Sequence, residues 1–274
     1  MGLVITHNLM ADVALRNLSA TYRTLAESIN ALSSGLRINS ADDDAAGLAV
    51  REMMRAEVAS LGQGIRNAND AISMLQTFDG AAQVIDEKII RMKELSLQAA
   101  TGTYNDDQRV IMDAEFAQMR NEITRIANAT AFNGISGLNA SGTIKIHFGA
   151  GNSSAEDYYY INQQDLTGGA LGLDALTIGS QVSAQAALET IDAAIGLKDT
   201  ARANFGALIN RLHNTISSLE IQRENVQAAE SQISDVDVAS EMTNLTRNQV
   251  LARAGVAMLV QANTIPMMAV TLLG

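Results

Sequence analysis

The strongest constraint on the fold of this chain is a heptad pattern of apolar residues close to its N-terminus. These residues follow one another at alternating intervals of four and three positions, and they are Ala11, Leu15, Leu18, Tyr22, Leu25, Ile29, Leu32 and Leu36. An interval that averages about 3.5 residues keeps all of them on one side of a helix, as the a and d positions of a coiled coil require. The pattern predicts a long first helix that packs against another helix.

Three further segments repeat the heptad pattern. They span residues 65–92, 112–126 and 205–233, and two positions of the last segment are charged, Arg223 and Glu230. The chain contains a single proline, the residue type that most often interrupts a helix. We therefore expect a mainly α fold of long antiparallel helices that pack as coiled-coil bundles.

The middle of the chain has a different composition. Residues 133–179 are rich in Gly, Asn, Ser and Thr. Within them, residues 143–148 alternate between apolar and polar side chains, and DYYYINQ (157–163) follows as a candidate returning strand. We expect a small β-hairpin region at about 141–180. Because long helices leave and return on either side of this region, we expect both chain termini to form a paired terminal coiled coil.

The charge and hydropathy of the chain limit its partners. The net charge is −11 and the isoelectric point is near 4.7, so we expect no nucleic-acid partner, because nucleic-acid affinity depends on cationic side chains. The first residues lack the basic and apolar regions of a secretory signal peptide. Residues 254–274 are uncharged, but Gln261 and Asn263 at their centre disfavour lipid. We expect no membrane span and no cleaved signal peptide.

The sequence contains no recognisable catalytic or metal-binding motif. Its three histidines are far apart, and the spacings typical of zinc, redox and nucleophile motifs are absent. SADDDAAGLAVR (40–51) fits a calcium loop only in part, because Ala46 and Met53 occupy two ligand positions. Ser40 and Asp43 instead have the spacing of a capping box. We expect a helix to begin here, and we expect no enzyme activity, no metal and no cofactor.

Several longer segments resemble bacterial flagellin. In the first half of the chain these are LSSGLRINSADDDAAGLAV (32–50), RNANDAISMLQT (66–77) and FNG (132–134). In the second half they are AAESQISDVDVASEM (228–242) and QVLARAGVAMLVQANTIP (249–266). The segments occur in the order found in the family, and the resemblance covers nearly the whole chain. The short middle indicates a short form that lacks the large outer domains.

The resemblance implies a structural subunit of the bacterial flagellar filament, which polymerises with copies of itself into a helical tube for swimming motility. It implies a terminal coiled-coil domain of residues 1–40 plus 236–274, lining the inner tube, and a helical shaft domain of residues 41–235. It implies secretion to the extracellular filament, with an export chaperone, the flagellar export apparatus, and the hook-associated junction and cap proteins as further partners. The implied assembly seam consists of Leu18, Tyr22, Leu25, Ile29, Leu32, Leu36, Val256, Leu259 and Leu273.

The resemblance also implies recognition by the animal Toll-like receptor for flagellin. In the family, this receptor contacts an arginine in an R-x-x-E-L stretch and a glutamate on the next helix. Here the stretch supplies Arg91, Glu94 and Leu95, and the next helix supplies Glu115. An arginine that bonds a carboxylate, beside apolar area from a leucine, has the composition of an interface hot spot. The alternative is that these residues face a neighbouring subunit, and both roles are compatible.

Two other identities fit parts of the sequence. A hook–filament junction protein resembles flagellin at both ends, but its middle is usually larger and its shaft motifs are weaker than RNANDAISMLQT (66–77). A tail-anchored coiled-coil membrane protein would account for the uncharged C-terminal segment. Cell fractionation separates this last alternative from a flagellin, because a flagellin is found in sheared filaments and an anchored protein stays with the membrane.

Overall fold

The computed structural model describes residues 7–154 and 156–273, and in the last helix it describes the side chains up to Thr264 together with Met267 and Met268. Within these ranges the helices are α1 (Leu9–Ser34), α2 (Ala45–Ala100), α3 (Asp106–Ala129), α4 (Gln181–Ser234) and α5 (Val238–Leu273). The strands are β1 (Ala131–Phe132), β2 (Ile135–Ser136), β3 (Thr143–His147) and β4 (Tyr158–Asn162). The predicted mainly α fold with a small hairpin region is confirmed.

The chain divides into two compact units, with one boundary between Ala56 and Glu57 and the other between Glu224 and Asn225. The central unit is the segment between the two boundaries, and it contains α3 and all four strands. The terminal unit is formed by the segments outside the boundaries, and it contains α1 and α5. Helices α2 and α4 contribute residues to both units.

In the terminal unit, α1 and α5 lie side by side in opposite directions. At one end of the pair, the side-chain amide of Asn8 donates a hydrogen bond to the carbonyl of Ala262, at 2.9 Å. At the other end, Leu36 forms an antiparallel bridge with Asp235. Helix α1 ends at Gly35, whose φ of 74° lies in the left-handed region that favours glycine;. This pair is the predicted terminal coiled coil.

The pair is closed by leucines that alternate with small and polar side chains. The covered residues of α1 include Ala11, Ala14, Leu18, Thr21, Leu25, Ser28 and Leu32. The covered residues of α5 include Leu245, Asn248, Ala252, Gly255, Leu259 and Ala262. A Cβ added to Gly255 would lie 3.0 Å from Cδ1 of Leu18. The two helices therefore approach each other closely where the glycine stands.

The start of α2 differs from the predicted one. Ser40 lies in a turn, and α2 begins only after Asp44, whose carboxylate accepts the N–H of Gly47 at 2.9 Å. The Asp43 carboxylate accepts the backbone N–H groups of Ser40 and Asn39, each at 2.9 Å. These hydrogen bonds to its charged form hold the pKa of Asp43 below its usual value;. One half of the predicted capping box therefore forms, but it closes a turn rather than a helix.

The central unit is held together by one continuous apolar core. Its largest fully buried side chains include Phe78, Phe116 and Phe205, and the ring centroids of Phe78 and Phe205 are 6.4 Å apart. The full burial of one such side chain contributes about 1.5–3 kcal/mol to folding. The core joins α3 to the central parts of α2 and α4 and covers the inward side of the hairpin region.

The β3–β4 hairpin packs closely on α2. Its two strands pair antiparallel over their whole length. A Cβ added to Gly64 of α2 would overlap the carbonyl group of Phe148, which follows β3 directly. Three residues further along α2, the side-chain amide of Asn67 donates a hydrogen bond to the carbonyl of His147, at 2.8 Å. The hairpin is therefore positioned by backbone contacts that only a glycine at position 64 permits.

Candidate functional site

The terminal unit exposes many large apolar side chains to solvent. On α1 these are Leu9, Met10, Val13, Leu15, Tyr22 and Ile29. On α5 they include Val238, Met242, Val250, Leu251, Val256, Met258, Val260 and Met267. No helix of the described residues is long and apolar enough to cross a membrane. Single exposed apolar residues are common, but a continuous exposed face of them is typical of a protein interaction site.

The part of the predicted seam that lies on α1 is divided between covered and exposed positions. Leu18 is 8% exposed. Leu25 and Leu32 are half-buried, as is Leu36, which follows the end of α1. Tyr22 and Ile29, in contrast, are 50% and 49% exposed. The heptad stripe of α1 is therefore wider than the strip that α5 covers, and one edge of it is exposed to solvent.

The part of the seam that lies on α5 is divided in the same way. Leu259 is half-buried, whereas Val256 is 43% exposed. Leu273 is the last residue of α5, and its side chain lies outside those that the structure describes. The structure thus brings Leu18 and Leu259 into the helix pair and leaves Tyr22, Ile29 and Val256 accessible.

A groove with a volume of ≈ 790 Å³ runs between α1 and α5. Its walls include Leu9, Met10 and Val13 from α1 and Leu251 and Met258 from α5. Within residues 7–154 and 156–273, no group of His, Cys, Asp and Glu side chains could hold a metal ion. A groove with this lining has the chemistry to accept apolar side chains of a partner.

The structure brings three of the four predicted receptor residues together on α2 and α3. The Arg91 guanidinium donates hydrogen bonds to Glu94 at 3.0 Å and to Glu115 at 2.9 Å. All three side chains are in solvent, with 45%, 60% and 44% of their surface exposed, respectively. The hydrogen bonds to Glu94 and Glu115 raise the pKa of Arg91. The three residues form an exposed ionic cluster, which we call the Arg91 cluster.

Leu95 does not belong to the Arg91 cluster. The sequence predicts that Leu95 contributes apolar area to the receptor contact. In the structure, however, Leu95 is 2% exposed and lies in the core of the central unit. A step of four residues exceeds one turn of helix by about 40°. Since Arg91 stands at the edge of the buried face, that rotation carries Leu95 to the side of α2 occupied by Met92 and Ala99, both buried. The prediction that Leu95 offers contact area is therefore corrected.

Ion pairs between α2 and α4, which include the buried Lys198, were not predicted from the sequence. Lys198 is 3% exposed, and its ammonium group pairs with the carboxylates of Asp86 at 2.5 Å and Asp199 at 2.6 Å. Burial disfavours its charge, but the hydrogen bonds to Asp199 and Asp86 outweigh that effect and raise the pKa of Lys198. One turn away, Arg202 pairs with Asp79 at 2.8 Å. The seven-residue interval between Asp79 and Asp86 was the available signal, since it places both acids on one face of α2.

Comparison with known proteins identifies the family. Residues 5–143 match the bacterial flagellin N-terminal helical region, and residues 188–273 match the bacterial flagellin C-terminal helical region. The chain belongs to the bacterial flagellin family. It is a structural subunit of the flagellar filament.

Relatives of this flagellin match it over nearly their full length. It is 39% identical to the flagellin of Halalkalibacterium halodurans, over 99% of this chain and 100% of the relative. It is 38% identical to flagellin FlaB2 of Treponema pallidum, over 95% of this chain and 96% of the relative. Among solved structures, the crystal structure of Bacillus cereus flagellin is similar, with 31% identity and a TM-score of 0.51 over 60% of this chain and 94% of that one.

Proposed function

We propose that this flagellin assembles by burying the exposed apolar faces of α1 and α5 against further copies of the chain. The exposure of Tyr22, Ile29 and Val256 carries this proposal, because these residues lie in the same heptad stripes as covered residues of the pair. Full burial of one apolar side chain is favourable by about 1.5–3 kcal/mol. A filament offers identical neighbours, whose own exposed faces supply the matching apolar area.

The assembly seam then has two halves with different roles. Leu18, Leu25 and Leu32 close the helix pair within one chain, while Tyr22 and Ile29 contact neighbouring chains. In this proposal, residues 1–40 and 236–274 line the inner tube of the filament, and residues 41–235 form the shaft outside it. The placement of α1 and α5 together in one compact unit, with only the ends of α2 and α4, supports this arrangement.

The substitution Ile29→Asp tests the proposal. Ile29 is 49% exposed, so a carboxylate there should change the stability of the isolated chain by less than about 1 kcal/mol. In a filament the same carboxylate would be buried without a partner, which costs several kcal/mol. We expect the variant to keep the helical circular dichroism spectrum and the melting temperature of the wild type. We expect it no longer to form filaments that sediment.

Ala20→Asp is the matched control on α1. Ala20 is exposed and lies between the exposed Arg16 and Arg23, so a carboxylate there joins a charged face;. We expect Ala20→Asp to polymerise normally. Normal polymerisation of Ile29→Asp, or equal loss in both variants, would contradict the assignment of the seam.

We propose that the export chaperone covers part of the same apolar face before assembly. An unassembled chain that exposes Val256, Met258 and Val260 needs such cover to avoid aggregation. The flagellar export apparatus and the hook-associated junction and cap proteins complete the proposed partners. Size-exclusion chromatography of the chain with its chaperone tests the contact. Met258→Asp should abolish co-elution, and unchanged co-elution would place the chaperone elsewhere.

We further propose that the Arg91 cluster is recognised by the animal Toll-like receptor for flagellin. The specific observation in favour is that Arg91, Glu94 and Glu115 form one exposed constellation across two helices. An arginine held in a fixed orientation by two carboxylates presents its remaining donors to a partner without a large entropic loss. Leu95 has no part in this surface, because it is buried.

Arg91→Ala should raise the dissociation constant of the soluble chain for the receptor. Arg125→Ala is the matched control, because Arg125 forms a comparable exposed pair with Glu122, at 2.6 Å, within a single helix. Surface plasmon resonance should show weaker binding for Arg91→Ala alone. Loss of filament sedimentation with unchanged receptor affinity would reduce the Arg91 cluster to a contact between subunits.

A further inference from the structure

The methionines of this flagellin are distributed unequally between its two units. The chain has 12 methionines. Those with large exposed fractions all lie in the terminal unit, and they include Met10 at 57%, Met53 at 73%, Met242 at 48%, Met258 at 64% and Met267 at 68%. In the central unit, by contrast, Met74 is 3% exposed and Met92 is fully buried. Oxidants in solution therefore reach the thioethers of the terminal unit first.

The composition of the chain makes these thioethers its principal targets for oxidation. There is no cysteine and no tryptophan anywhere in the sequence, so no thiol competes for a two-electron oxidant. Hydrogen peroxide transfers one oxygen atom to a thioether: the O–O bond breaks, an S–O bond forms, the sulfur is oxidised to a sulfoxide and the peroxide is reduced to water. The reaction follows solvent exposure.

We propose that Met10 and Met258 are oxidation sites that control whether the unassembled chain can join a filament. Both side chains line the groove between α1 and α5, one from each helix. A sulfoxide replaces a flexible apolar thioether with a strongly polar group. In the groove that group would stand among Leu9, Val13 and Leu251. Burial by a second copy would remove the water that solvates the sulfoxide, which is unfavourable in a mainly apolar contact.

Assembly protects these two methionines from the same reaction. This inference rests on the proposed function, because the protection arises only if neighbouring chains cover the groove. A chain oxidised before assembly is then excluded from the filament, whereas an assembled chain resists the oxidant. Met74 and Met92 give an internal reference within the same molecule, since their burial does not depend on assembly.

The experiment treats monomer and filament with hydrogen peroxide and follows each sulfoxide by peptide mass spectrometry. If the rate follows exposure, 57% for Met10 against 3% for Met74 gives a rate ratio on the order of tenfold or more in the monomer. Oxidised wild-type monomer should then fail to sediment as filaments. Equal rates at Met10, Met258 and Met74 would overturn the proposal.

Two leucine variants assign the effect to the groove. Leucine keeps the apolar volume of methionine and cannot be oxidised. A double variant, Met10→Leu with Met258→Leu, should retain assembly after peroxide treatment. A matched variant with leucine at Met53, Met242, Met267 and Met268 instead should lose assembly as the wild type does. The opposite pattern of protection would overturn the assignment to Met10 and Met258.

The peroxide treatment of filaments distinguishes failure of this inference from failure of the proposed function. If Met10 and Met258 in filaments react as fast as in the monomer, neighbouring chains do not cover the groove, and both the protection and the proposed assembly surface are wrong. If they are protected in filaments but oxidised monomers still assemble at the wild-type rate, the assembly surface stands and the control by oxidation is refuted.

Discussion

Gly64 and Gly62 lie two residues apart on α2, and we expect alanine to have opposite effects on stability at the two positions. At Gly64 an added Cβ would lie 2.8 Å from the carbonyl carbon of Phe148 and still closer to its oxygen, below the 3.0 Å that real Cβ atoms keep. At Gly62 the nearest atom to an added Cβ is the far end of Arg66, at 3.9 Å. The first position has no room for a methyl group, and the second is open.

The magnitude for Gly64→Ala follows from what the methyl group displaces. The opposing atoms belong to the backbone, so the hairpin must withdraw from α2 by on the order of 1 Å, and overpacking of this kind costs about 1–3 kcal/mol. The same movement stretches the Asn67–His147 hydrogen bond beyond its present 2.8 Å, a loss of about 1 kcal/mol. The gain in helix propensity, about 0.5–1 kcal/mol, offsets only part of this cost.

We therefore expect Gly64→Ala to destabilise the chain by about 1–3 kcal/mol and Gly62→Ala to stabilise it by about 0.5–1 kcal/mol. For a unit of this size, each kcal/mol shifts the melting temperature by about 2–4 °C. Thermal unfolding followed by circular dichroism compares both variants with the wild type. Shifts of the same sign in the two variants would refute the close packing of the hairpin on α2.

Two further substitutions test the terminal unit and the turn before α2. Leu25→Asp places a carboxylate in the half-buried side of the α1–α5 pair, so we expect faster proteolysis of α1 than in Ile29→Asp, and equal proteolysis would contradict the division of the seam. Asp43 has a lowered pKa in the folded chain because its carboxylate accepts hydrogen bonds from the backbone N–H groups of Ser40 and Asn39. Its contribution to stability is therefore complete above the pKa of the unfolded state, about 3.9, and is lost as the pH falls through the pKa of the folded state. Asp43→Asn should therefore be less stable than the wild type in urea at pH 7, with a smaller difference at pH 3; a constant difference would refute this.

The long helices and the central hairpin could be predicted because each has a periodicity that survives in the folded chain. Apolar spacing of four and three marks α1, and alternation marks β3 at Thr143–His147. The run DYYYINQ (157–163) was predicted as the returning strand and contains β4 at Tyr158–Asn162. The start of α2 could not be located in the same way, because Ser40, Asp43 and Asp44 are all acceptable caps. Which of them begins a helix depends on the turn that Asp43 closes, and that turn is not marked by any periodicity.

The sequence predicted the positions of candidate site residues where these depend on spacing along the chain. It did not predict which of these residues are exposed to solvent. Spacing alone places Arg91 within reach of Glu94, and the turn between α2 and α3 brings Glu115 beside them. Spacing does not show where the buried face of a helix ends, and that boundary decides the position of Leu95. It also does not reveal that a lysine such as Lys198 will be buried, because one of the two acids that compensate its charge, Asp86, lies 112 positions away in the sequence.

The division of the seam has a physical cause that connects the fold of one chain to the polymer. Ala14, Thr21 and Ser28 on α1, with Ala252, Gly255 and Ala262 on α5, let the two helix backbones approach closely, and apolar periodicity does not single out such small residues. Leu18 and Leu259 fill the space that remains between the helices. Tyr22, Ile29 and Val256 remain at the exposed edges of the pair. Enlarging the centre of the pair, as in Gly255→Leu, would force the helices apart from Leu18, which is already 3.0 Å from an added Cβ. It would therefore alter the spacing of both exposed edges at once, and in the proposed arrangement those edges must match an identical neighbour at every contact.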